Sequence, residues 1–152
     1  MRVQDVMTRS VRTIGPEAPA SEALALMNEG NFHHLVVSED RGLVGIVSSR
    51  DLGSPLEPDF RETHRVADVM NPHVVTATPD MPLKQAANIM RGRSIGCLPV
   101  VRPGRPDRLV GILTISDLLD VLGRGVDRPS RPDRMILKAR APRKSPHATR
   151  SR

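Results

Sequence analysis

Aromatic side chains are almost missing from this chain of 152 residues, which has two phenylalanines and neither tyrosine nor tryptophan. The core must therefore be assembled from Val, Leu, Ile, Met and Ala, within a hydrophobic fraction of 38%. Cysteine is nearly absent too. Cys97 stands alone, so no intrachain disulfide can form; it is expected as a small buried hydrophobe. A reducing, cytoplasmic setting fits that usage. The N-terminus lacks an apolar run behind a basic stretch, so no signal peptide is expected. Apolar runs of about 18 residues are missing as well, and no membrane span is predicted. No Ser-His-Asp or Cys-His arrangement has positional support, so no catalysis is assigned. His33 and His34 are adjacent on an expected strand and point to opposite faces. His64 and His73 share no spacing with them, and no metal site is assigned.

Charge is present but unevenly placed. The formal net charge is +6. Residues 1–122 are close to neutral, with 13 basic and 15 acidic side chains. From Gly123 onward ten Lys and Arg face only Asp127 and Asp133. This segment, 124–152, is rich in Arg, Pro and Ser, with Met135-Ile136-Leu137 as its one apolar cluster. So few apolar groups cannot offset the entropy of ordering, and most of it is expected to be disordered alone. Its cations could neutralise the phosphates of a nucleic acid, dock on an acidic protein partner, or simply be solvated. The segment has no aromatic residue on which bases could stack.

What the chain does have is a repeat. Val3-Gln4-Asp5-Val6-Met7 returns as Val66-Ala67-Asp68-Val69-Met70, and Thr13-x-x-Pro16 returns as Thr76-x-x-Pro79. Leu43-Val44-Gly45-Ile46-Val47-Ser48 returns as Leu109-Val110-Gly111-Ile112-Leu113-Thr114, each followed by x-x-Asp-Leu. The offset is 63 residues early and 66 late, which puts a three-residue insertion near Arg102–Arg108. Within each copy an apolar-spaced turn leads to a short strand, Val11–Thr13 or Val74–Thr76. Pro19 and Pro82 suit the first turn of a helix. Ala20, Ala23, Leu24 and Met27, like Leu83, Ala86, Ala87 and Met90, give that helix one apolar stripe, and Gly30 or Gly92 ends it. Two further strands, Leu35–Val37 with Leu43–Val47 and Leu98–Val101 with Leu109–Leu113, read as hairpins. Pro99 must then sit where its strand needs no N–H donor. A second helix starts near Ser49 or Ser116. The fold class is α+β: two β-α-β-β-α repeats, residues 1–53 and 66–123, packed about a pseudo-twofold axis. Residues 54–65 are a surface linker.

The Val-x-Asp-Val-Met opening, the Thr-x-x-Pro step, the Leu-Pro-Val-Val strand and the Gly-h-h-Ser/Thr-x-x-Asp-Leu close resemble a tandem pair of cystathionine-β-synthase (CBS) domains. The resemblance covers about residues 1–122, in both copies and in the same order. It implies one module with two equivalent clefts that take adenosine-containing ligands: AMP, ADP, ATP, S-adenosylmethionine, or NAD-type and diadenosine molecules. It also implies a disc-like homodimer that acts as a sensor for a partner protein, with no catalytic cofactor.

By the same resemblance each cleft crosses the copies. One would combine Met7–Val11 (Met7, Arg9 and Val11 among them), Phe32 and His33 with Ile112, Thr114, Ser116 and Asp117. The other would combine Asn71–Val74 (Asn71, His73 and Val74), Ile95 and Gly96 with Ile46, Ser48, Arg50 and Asp51. Ser48-x-x-Asp51 and Thr114-x-x-Asp117 lie at a strand-to-helix junction, where residues three apart face one side. An ionised Asp accepts hydrogen bonds only, and a ribose diol donates two. The hydroxyl and the free N–H groups of a helix start suit a phosphate or ribose oxygen. The same pairs can also be plain helix caps. Phe32 is the only aromatic near either cleft, so ring burial must come from Ile, Val and Met. Candidate phosphate partners are Arg9, Arg50, Arg91 and Arg93. Copy one has Gly30 where copy two has Arg93, so the two clefts should differ in phosphate preference.

Overall fold

The computed structural model describes residues 1–40, 42–53 and 58–124. The expectations placed on the tail beyond Arg124 lie outside the described residues. Copy one supplies β1 (Thr13–Ile14), α1 (Ala20–Gly30), β2 (His34–Glu39) and β3 (Gly42–Ser48), then a 3₁₀ turn, Ser49–Leu52. α2 (Pro58–Thr63) and α3 (Val66–Val69) follow. Copy two continues with α4 (Leu83–Arg93), β4 (Cys97–Arg102), β5 (Arg105–Thr114) and α5 (Ile115–Arg124). A 3₁₀ turn at Val3–Asp5 opens copy one as α3 opens copy two. Among the described residues no helix is long and apolar enough to cross a membrane.

The expected elements are present, with several shifts. Pro19 and Pro82 are extended and stand just before α1 and α4 rather than inside their first turns. These helices end at Asn31 and Ser94, which turn left-handed at φ 51° and 53°. The linker is not all loop. It contains α2, whose Phe60 ring stacks on His64 with ring centroids 4.0 Å apart. The second helix of copy one is only a 3₁₀ turn, because Gly53 leaves it at φ +82°. α5 reaches Arg124, one residue beyond the expected boundary.

The sheets explain the largest departure. β1 is parallel to β2, and β2 is antiparallel to β3. β4 is antiparallel to β5, and Ala77 bridges to Val100 in the place of a first strand. Pro99 points its carbonyl at Ala77, and the bond in the other direction comes from Val101, so no donor is missed. The expected strand at 11–13 appears only at Thr13–Ile14, and that at 74–76 shrinks to the Ala77 bridge. The cause is that each opening segment crosses between the copies. Thr8 exchanges both backbone hydrogen bonds with Ile112 (2.9 Å each), while Thr13 already pairs with Val36. Asn71 does the same with Ile46 (2.8 and 3.0 Å), while Ala77 already bridges to Val100 of β4. The residues between must span from one sheet to the other and cannot ladder.

Burial follows the exchange. Val3 and Met7 of copy one are buried among Ala86, Met90, Leu98 and Leu113 of copy two. Val66 of copy two is buried among Ala23, Leu35, Val47 and Leu52 of copy one. Val36, Cys97 and Ile112 form a third cluster where the two sheets meet. Glycine makes the crossings possible. A Cβ on Gly111 would lie 2.7 Å from the Met7 sulfur and 2.9 Å from the Thr8 carbonyl oxygen. A Cβ on Gly45 would lie 2.5 Å from the Met70 sulfur. The motif Met and the motif Gly are thus partners across the repeat.

Gly111→Ala should therefore destabilise the fold by about 1–3 kcal/mol, since a backbone oxygen has to move. Gly92 lies in α4 with nothing near its missing Cβ. Gly92→Ala should stabilise by about 0.5–1 kcal/mol. Urea unfolding of the two variants reads the difference, and equal effects would contradict the packing described.

Candidate functional site

The strand-to-turn junctions are built alike in both copies. At the end of β3 the Asp51 carboxylate accepts the Ser48 backbone N–H (2.8 Å) and hydroxyl (2.9 Å). At the end of β5 Asp117 accepts the Thr114 N–H (2.8 Å) and hydroxyl (3.0 Å). All of these bonds end on Oδ2. The Asp117 Oδ1 faces the Thr8 hydroxyl at 3.5 Å, across the repeat. Both acids therefore cap a helix start, and an ionised carboxylate of this kind keeps further acceptor capacity.

A cleft of about 750 Å³ opens where the copies meet. Copy one contributes His33, His34, Ser48, Ser49 and Arg50. Copy two contributes one face of α4 (Ala87, Met90, Arg91), then Ser94, Ile95 and Gly96, and Ile115 and Leu118 of α5. The sequence-expected Ser48, Arg50, Ile95 and Gly96 are brought together here, with Asp51 bonded behind Ser48. His33 joins this group rather than the one at Thr114. The hairpin causes that, because His34 pairs with Ser48 in register and the Ser49 N–H donates to the His33 carbonyl (2.9 Å).

The other expected group is also partly assembled. Met7 packs on Gly111, Thr8 pairs with Ile112, and Thr114 and Asp117 lie beside them. Val11 packs at the sheet–sheet cluster. The Phe32 ring covers Gly30, where a Cβ would overlap it. Arg9 is exposed and donates to the Gln4 carbonyl (3.4 Å). Ser116 is exposed at the start of α5. Asn71 is held by Ile46, and its side-chain oxygen accepts the His73 N–H (3.0 Å). His73 is exposed and Val74 half-buried, and neither lines the cleft. Arg93 is exposed and turned away, roughly a third of a turn round α4 from the cleft face. Arg91 takes the place expected of it.

His34 is the main residue that sequence reading did not assign. Its imidazole rests on Gly96, and a Cβ there would come 2.7 Å from Nε2. A glycine standing where copy one has His33 was the available signal. Burial holds His34 below its ordinary pKa of 6.5, neighbouring His33 adds to that, and Asp51 opposes it. Burial also pushes the Cys97 thiol up to about 12, as suits an inert core residue.

The architecture defines a class: a duplicated α+β unit whose halves exchange their opening segments and share clefts at their strand ends. The CBS domain family model matches residues 3–53 and 66–124, and the chain belongs to that family. A CBS domain-containing protein of Dictyostelium discoideum is 36% identical over 132 residues, covering 79% of this chain and 90% of that protein. The CBS domain pair of protein MJ0100, solved with 5′-methylthioadenosine and S-adenosyl-L-methionine, superposes with a TM-score of 0.72 at 27% identity, covering 81% of this chain and 96% of that one. CBSX2, solved in complex with AMP, gives 0.68 at 30% identity, with 81% and 96% covered. Longer relatives, among them a homoserine O-acetyltransferase, are matched over only 23% of their length.

The depressed His34 pKa has a sign. As pH falls through 6.5 the unfolded chain takes up a proton that the folded chain resists, so stability present above 6.5 is lost toward acid. His34→Gln should remove that part of the loss. Urea midpoints at about pH 7.5 and 5.5 should differ less in the variant than in the parent; an unchanged difference would mean that His34 does not titrate in this way.

Proposed function

We propose that this chain is a non-catalytic sensor module that binds adenosine-containing ligands between its two repeats and reports their level to a protein partner in the cytoplasm. The observation that carries the reading is the cleft at Ser48. Its size falls within the roughly 300–1,000 Å³ usual for small-molecule sites, and both copies line it. Its apolar walls (Met90, Ile95, Ile115, Leu118) suit an uncharged base, and Ser48, Ser49 and Ser94 suit a sugar. Asp51 stands behind Ser48, and Asp117 beside Thr8, to accept ribose hydroxyls. Both related pairs described above were solved with adenosine compounds. A ligand touching both copies favours the arrangement in which they are closed. It signals only if a partner distinguishes that arrangement from the open one.

Thermal unfolding against AMP, ADP, ATP, S-adenosylmethionine and NADH tests this. A ligand at about 100 times its dissociation constant adds about 2.7 kcal/mol, a rise in midpoint of roughly 5–11 °C at this size. A selective rise is expected, and Asp51→Asn or Asp117→Asn should diminish it. Parent-like rises in both variants would remove the ribose assignment, and no rise with any compound would remove the adenosine reading.

The module is further proposed to be a homodimer closed over α5. Ile115, Leu119 and Leu122 recur along that helix and are 49%, 60% and 80% exposed. A second copy laying the same stripe against this one would cover them. The double variant Leu119→Lys, Leu122→Lys should run as a monomer in light scattering while the parent runs as a dimer. A monomeric parent would end the proposal.

A further inference from the structure

Copy one is closed by the chain that follows its second element. α2 packs on α1, and the Phe60 ring lies so close to Gly53 that a Cβ there would come within 2.9 Å of it. Leu52, the residue before that glycine, is fully buried. Copy two has no such cover among the described residues. Its second element, α5, keeps Ile115, Leu119 and Leu122 exposed at i, i+4 and i+7, one stripe of the helix. With Met1 they are the exposed large hydrophobic residues of the described chain. Downstream of α5 the sequence carries one run of large apolar residues, Met135-Ile136-Leu137, set between Arg134 and Lys138.

We propose that Met135-Ile136-Leu137 docks on the α5 stripe of its own chain and so competes with a second copy for that face. The docking goes beyond the adenosine reading, and only the competition rests on the dimer reading above. Ten residues, 125–134, lie between α5 and the run. At about 3.3 Å each they can span ~33 Å, roughly twice the ~15 Å length of α5. The run can therefore turn back along the helix. Charge favours this occupant over a second copy. Ahead of Arg124 the only charged residues of α5 are Asp117 and Asp120. A second copy brings the same two acids to the face, whereas the run brings Arg134 and Lys138. Tethering adds to this, because a short link holds the run at an effective concentration on the order of millimolar. A second copy at micromolar concentration displaces it only where its contact is on the order of a thousandfold stronger. Copy two is then covered by its downstream chain, as copy one is by α2.

The chain has no tryptophan, so Ile136→Trp gives the full-length protein a single indole reporter within the run. Its emission in dilute solution should be blue-shifted from that of a solvated indole. Adding Leu119→Lys and Leu122→Lys should return it to the solvated value; both leucines are exposed, so folding is not at stake. Raising the protein concentration should red-shift the emission as a second copy displaces the run. The full chain carrying Met135→Ser, Ile136→Ser and Leu137→Ser should dimerise at about tenfold lower concentration than the parent. Solvated emission in dilute solution, or burial untouched by the lysines, would overturn the proposal. So would a blue shift that grows with concentration, which puts the run on a second copy, or a dimer unaffected by the serines. Blue-shifted emission relieved by the lysines, in a chain that stays monomeric at every concentration, would keep the docking and discard the dimer reading. Adenosine binding plays no part in either readout.

Discussion

Two pairs of backbone hydrogen bonds, Thr8 with Ile112 and Asn71 with Ile46, tie each repeat to the sheet of the other. They form only because Gly111 and Gly45 carry no side chain where Met7 and Met70 cross. Each opening turn then completes a core that is not its own: Val3 fills copy two and Val66 fills copy one, both fully buried. The position of every candidate ligand residue descends from this. Thr8 reaches Asp117 because its backbone is pinned to Ile112, two residues before Thr114. The cleft at Ser48 is bounded by both copies because their sheets meet through Val36, Cys97 and Ile112. A rearrangement of one copy against the other has to pass through these same contacts.

The aspartates at the helix starts serve a second end. Asp51 and Asp117 each accept a backbone N–H and a hydroxyl, and Asp5 and Asp68 accept the N–H of Arg2 and Arg65 in the same way (2.7 and 2.9 Å). The acids of the repeated motifs are thus partly explained by local geometry, before any ligand is considered. A side chain already fixed by its own cap is a rigid acceptor, and fixing it costs a ligand no further entropy.

Much of this was legible. Duplication set the architecture, and the alternating and helical spacings located the hairpins and α1 and α4, because burial on one face imposes those periods. Ser48, Arg50, Ile95 and Gly96 could be grouped through the resemblance to the CBS family, which sets strand ends of one copy against those of the other. What could not be read depended on contacts between distant segments. Nothing local says that residues 9–12 must cross from one sheet to the other, so the first strand was expected too early. Nothing local says that Phe32 turns onto Gly30, that His34 lies on Gly96, or that Arg91 rather than Arg93 faces the cleft. Those outcomes follow from the docking of copy on copy, which a single sequence does not display. α2 was hidden in another way: six residues rich in charge, with Phe60 as the one apolar anchor, carry too little periodicity to stand out from a linker.

The exchange also sets an order of events on the ribosome. Val3 leaves the exit tunnel well before Ala86, Leu98 and Leu113, which make its socket. The opening turn must therefore wait, apolar and unpaired, until almost all of the second repeat has been synthesised. The first repeat likewise stays open until Val66 arrives. The first repeat can close once Val66 has emerged, whereas the core that takes Val3 must wait for nearly the whole second repeat, so the two halves are completed in that order.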